Sequence, residues 1–80
     1  MPHYFLHLID SSDVLIDPDG MELAPEDVGR AALEAARDCM AGDVRKGQLD
    51  LRYRIEVQDE SGKAIHRLDF RDALEIAGAS

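Results

Sequence analysis

One cysteine, Cys39, stands in a chain of 80 residues, so no disulfide can close within it. No apolar run approaches the roughly 20 residues that span a bilayer. The opening M-P-H-Y-F-L-H-L-I-D lacks the basic residues and small-residue cleavage site of a secretory signal, so the cytoplasm is the expected compartment. Lys and Arg are absent from residues 1–29, which hold seven acids: Asp10, Asp13, Asp17, Asp19, Glu22, Glu26 and Asp27. With a net charge of −8 the chain repels phosphate backbones at long range, which argues against nucleic-acid binding. Motifs of group transfer are missing too. There is no G-x-G-x-x-G and no G-x-x-x-x-G-K-[ST], and Ser11 and Ser12 lack a G-x-S-x-G context.

What remains is an ordinary globular composition, 45% apolar and 32% charged, which speaks against disorder. A chain this short buries only about 60% of the surface its unfolded form exposes, so self-association would help it. Residues 3–9 and 14–16, apolar and separated by D10-S-S-D13, predict a first hairpin. Pro25 followed by Glu26 and Asp27 predicts the start of a helix over about 26–46, with Gly47 as its left-handed cap and Glu26–Arg30 as a supporting pair. Its inner face is Val28, Ala32, Ala35, Ala36 and Cys39. Leu33, Met40 and Val44 form one edge of its apolar arc. Residues 51–58 alternate strictly, the D-E-S-G-K turn follows, and residues 64–70 return as the partner strand. The expected fold is therefore α+β: a single two-layer ββαββ sandwich over 1–80, with a four-stranded antiparallel sheet in the order 2-1-3-4 under one long helix. The tail after Phe70 is expected to add a helical turn.

The stretch L15-I-D-P-D-G-M-E-L-A-P-E26 places Asp17, Asp19, Gly20 and Glu26 at EF-hand positions 3, 5, 6 and 12. Position 1, however, is Leu15, two prolines interrupt the loop, and a strand precedes it. Asp17-Pro18-Asp19-Gly20 fits a type I turn much better. His3 and His7 stand about 13 Å apart on a strand, too far to share an ion, and His66 is expected to face the helix layer. Cys39 lies on the helix's inner face, in its second half, where a thiol acts as a small apolar group. No metal, cofactor or catalytic constellation is expected, and the chain reads as a non-enzyme.

One side of such a sheet is left uncovered. Alternation assigns to it His3, Phe5, His7 and Ile9, then Arg52, Arg54, Glu56 and Gln58, then Ile65, Arg67 and Asp69. Phe5, Ile9 and Ile65 among Arg52, Arg54 and Arg67 have the composition of a protein interface, so these six are the expected contact residues, with a homodimer as the expected product.

M-P-H-Y-F-L, the acidic turn, D-P-D-G-M-E-L, A-A-L-E-A-A-R, and R-I-E-V-Q-D-E-S-G-K leading to L-D-F follow one another from Met1 to about Leu74. In this order the chain resembles a family of small proteins of rhizobia and related alphaproteobacteria, defined by a domain of unknown function. The resemblance implies no activity and supplies no catalytic residues. A looser similarity is to HicB-like antitoxins, which also set an Ala-rich helix after N-terminal strands and an acidic turn. It implies an alternative in which the acidic edge holds a basic toxin partner, an association that should weaken steeply with salt.

Overall fold

Strand formation starts where apolar and aromatic side chains are densest. In the computed structural model, which describes residues 1–75, 77 and 78, β1 spans His3–Ile9. The Asp10 carboxylate then accepts the N–H groups of Ser12 (2.7 Å) and Asp13 (2.6 Å) and turns the chain into β2, Val14–Leu15. A further short strand, β3, spans Met21–Glu22. Pro25–Asp27 form a 3-10 turn that leads into helix α1, Val28–Arg45. The chain closes with β4, Arg54–Gln58, β5, Ala64–Asp69, and a 3-10 turn over Phe70–Asp72. The sheet is antiparallel throughout and follows the path β2-β1-β4-β5, with β3 also paired to β1; α1 packs on β4 and β5.

Several expectations are corrected. The sheet has five strands rather than four, so the order 2-1-3-4 gains a fifth member beside β1. Two residues, Met21 and Glu22, carry too little periodicity to announce a strand; pairing with His3 and Tyr4 makes them one. The strand expected over 51–58 begins only at Arg54, because the Asp50 carboxylate takes the Arg52 N–H at 2.9 Å and holds a turn there. Ile16 falls outside β2, and Phe70 opens the last turn instead of ending β5. The helix proper starts at Val28, after the turn, and Arg30 pairs with Asp27 at 3.1 Å rather than with Glu26. The expected tail turn is present at Phe70–Asp72; Ile76, Ala79 and Ser80 lie outside the described residues.

Small residues set the distance between the layers. Ala32 and Ala36 have no exposed surface, so the helix backbone lies close against β4, whose Ile55 and Val57 are buried beneath it. Met40, expected at the helix edge, is a core residue, while Val44 is exposed. His66 turns toward the helix as expected, its ring about a van der Waals distance from where a Cβ on Gly29 would lie. Arg37 Nε donates to the Ala73 carbonyl at 2.8 Å and ties the last turn to α1. Gly47 ends the helix at φ +82° with open space around it, so Gly47→Ala should cost only the left-handed backbone strain. A urea titration should return about 1 kcal/mol.

Candidate functional site

The edge of β1 is closed by an interrupted strand. Between the pairs Tyr4↔Met21 and Leu8↔Leu15, five residues (Ile16 to Gly20) oppose three (Phe5 to His7), an excess of two. The excess leaves the Leu6 N–H of β1 without a backbone acceptor on this side, and Asp17 supplies one. Its Oδ2 accepts the Leu6 N–H at 3.2 Å and its Oδ1 accepts the Gly20 N–H at 3.1 Å. In return the Asp17 N–H donates to His7 Nδ1 at 3.1 Å, which requires that nitrogen to be unprotonated. His3 Nε2 donates to the Asp19 carbonyl at 2.6 Å. Gly20 holds φ +65°, and a Cβ there would sit 2.5 Å from the Tyr4 carbonyl oxygen, so only glycine fits. The turn expected at Asp17-Pro18-Asp19-Gly20 thus becomes a bulge that two histidines clasp. Phe5 stands between them, its ring centroid 5.1 Å from that of His3 and 6.3 Å from that of His7.

The open face is laid out in rows by the strand register. Ile9, Arg54 and Asp69 form one row; His7, Glu56 and Arg67 the next. Phe5 stands opposite Gln58, which faces Ala64. Pairing steps from Val57↔His66 to Gln58↔Ala64, so Ile65 is unopposed at a bulge and does not follow simple alternation. Ile65 is 42% exposed and, with Glu56, Ala64, His66 and Arg67, lines a shallow depression of about 320 Å³.

Of the six expected contact residues, the structure brings Phe5, Ile9, Arg54, Ile65 and Arg67 onto or beside this face. Arg52 does not join them: it lies in the preceding turn and is paired with Asp50 at 2.9 Å. Phe5 and Ile9 are half-buried, and His7 is buried under the bulge. Arg54 is half-buried with its Nε enclosed, and nothing among the described residues accepts from that nitrogen. Arg67 Nε donates to Asp69 Oδ1 at 3.1 Å, and the Arg67 side chain stays largely exposed.

Sequence reasoning missed a second surface, the outer strand itself. Val14, Leu15 and Ile16 are 56%, 67% and 59% exposed, and Met21 is 43% exposed. A run V-L-I reads as buried; nothing in its composition says that it borders the sheet.

A family model for DUF6894, a domain of unknown function, matches residues 3–71. The chain belongs to this family. No curated protein and no solved structure matches it. The DUF6894 match extends from the first residue of β1 into the last 3-10 turn, so it takes in the clasped bulge, the open face and the outer strand.

The reactive side chains of this DUF6894 chain have structural partners. Burial first, then the charges of Asp43 and Asp38, push the Cys39 thiol up, away from a nucleophilic thiolate. Asp10 and Asp59 are held below the usual carboxylate range chiefly by hydrogen bonds from residues of their own turns. Arg52 holds Asp50 down to about 2. Each depressed carboxyl contributes stability above its ordinary range that is lost as pH falls through the folded value. Among the described residues no three His, Cys, Asp or Glu side chains are grouped to hold a metal ion, and no helix is long and apolar enough to cross a membrane.

Proposed function

We propose that this chain is a non-enzymatic protein-interaction domain that self-associates through the open face of its sheet. The observation that carries the reading is the depression beside Ile65. An exposed apolar side chain there lies beside Glu56 and Arg67, with the second mixed pair, Arg54 and Asp69, in the next row of the face. A mixed-sign patch can complement itself across a two-fold axis, which a patch of one sign cannot do. A short chain with one layer covering only one side of its sheet gains burial from a second copy. The employment of Asp10, Asp17 and Asp59 in backbone hydrogen bonds, and of Cys39 in packing, supports a structural rather than a catalytic role for these groups.

Sedimentation equilibrium on the full chain tests this. A dimer should form below about 1 mM, a free energy of at least about 4 kcal/mol. Ile65→Asp should weaken it roughly tenfold or more, with an unchanged circular dichroism spectrum because the side chain is already partly in water. A wild-type chain that stays monomeric at that concentration, or a variant that dimerises equally well, overturns the proposal.

A further inference from the structure

The outer strand borders a groove on the helix side of the sheet. One depression of about 240 Å³ is lined by Leu8, Asp13, Val14, Leu15 and Tyr53. A second, of about 310 Å³, shares Leu8 and Tyr53 and continues along α1 past Asp38, Cys39, Gly42 and Asp43. The two depressions adjoin at Leu8 and Tyr53 and together form a groove between the outer strand and the helix. Its walls mix apolar side chains (Leu8, Leu15, Tyr53, Phe70) with charged ones, of which three are acids (Asp13, Asp38, Asp43) and one is a base, Lys46. The edge above is unpaired. The Asp10 N–H donates to the Asp13 carbonyl at 2.9 Å, and hydrogen-bonded pairs alternate in an antiparallel ladder. Val14 therefore turns its own N–H and C=O away from β1.

We infer that this edge and groove receive an extended, basic segment of another protein, with apolar side chains in the groove and Lys or Arg toward Asp13, Asp38 and Asp43. Charge decides the occupant. A second copy laid antiparallel on β2 about Leu15 would bring Asp13 against the partner copy's Asp17, and residues 1–29 offer seven acids and no base to relieve it. Like charges placed opposite each other are destabilising. The bulge at Ile16 to Gly20 keeps the ladder short, which guards against indiscriminate strand pairing. Affinity must then come from the apolar side chains of the groove and the charges rather than from a long run of backbone bonds. Leu15, opposite Leu8, faces this groove, whereas Val14 stands opposite Ile9 on the other side of the sheet, so the two surfaces meet at the edge and are told apart by variants at Leu15 and Ile65.

The test is an NMR titration of the full chain with three synthetic peptides of about ten residues: alternating valine and lysine, alternating valine and glutamate, and alternating glycine and lysine. The valine–lysine peptide should give saturable shifts confined to Leu8, Leu15, Cys39, Gly42 and Tyr53. Raising salt from about 50 to about 200 mM should weaken it several-fold. Leu15→Asn, an uncharged change at a side chain 67% exposed, should weaken it several-fold. Ile65→Asp should leave it unchanged. Equal binding of the glycine–lysine peptide would reduce the effect to charge alone and overturn the inference. So would binding of the valine–glutamate peptide, an absence of saturation, or concentration-dependent shifts at these residues without peptide, the last pointing to a second copy.

Discussion

Phe70→Ala should remove about 3–5 kcal/mol of stability, the cost of truncating a fully buried aromatic side chain. Phe70 is 1% exposed and, with Val57, is one of the two largest wholly enclosed side chains among the described residues. Its ring lies 5.8 Å from that of Tyr53, and its N–H donates to the Tyr53 carbonyl at 3.0 Å, so it packs the end of β5 against the start of β4. A chain of this length has a total stability of only about 4–12 kcal/mol. Alanine therefore consumes much of the margin, and a stability near the lower end of that range would leave the variant largely unfolded at room temperature. Urea unfolding followed by far-ultraviolet circular dichroism measures the loss. Phe70→Leu, which keeps most of the volume, should cost under about 2 kcal/mol. A loss below about 1 kcal/mol for alanine would mean that the ring is not enclosed as described.

Asp17→Ala should cost about 3 kcal/mol, large for a side chain in a surface loop. Both carboxylate oxygens are used, one by Leu6 N–H and one by Gly20 N–H. Neither donor has a backbone acceptor to turn to, because the excess of two residues has carried the outer strand away from β1. Asp17→Asn separates charge from geometry. It retains one carbonyl oxygen but turns an NH2 toward the other N–H, so it should fall between wild type and alanine, at about 2 kcal/mol. Amide exchange reads the cause directly: Leu6 and Gly20 should lose protection in Asp17→Ala before Val57 does. Unchanged protection at Leu6 would show that the carboxylate does not fill the gap. Loss of the bulge should also free His7 and loosen the outer strand, so this variant should weaken basic-peptide binding at the groove more than dimerisation through the open face.

Local patterns determined the elements. Alternation in Arg54–Gln58, the Pro25-Glu26-Asp27 entry, the Ala-rich face of α1 and the aspartate-led turns at Asp10 and Asp59 each carry their own physical signal within a few residues. Antiparallel order followed, since short hairpins leave few topologies. Where local and long-range pairing disagreed, the tertiary structure decided. Leu51 and Arg52 continue the alternation but turn, because the Asp50 carboxylate takes the Arg52 N–H that a ladder would use. Met21 and Glu22 become a strand only because His3 and Tyr4 lie beside them. Ile65 slips to a bulge through a register shift that no composition encodes. The same holds for the surfaces. Side-chain types named apolar and charged residues, but whether Val14, Leu15 and Ile16 end in the core or at an open edge depends on which strand lies outermost. Burial belongs to the assembled sheet, and a single strand's sequence contains only half of each pairing.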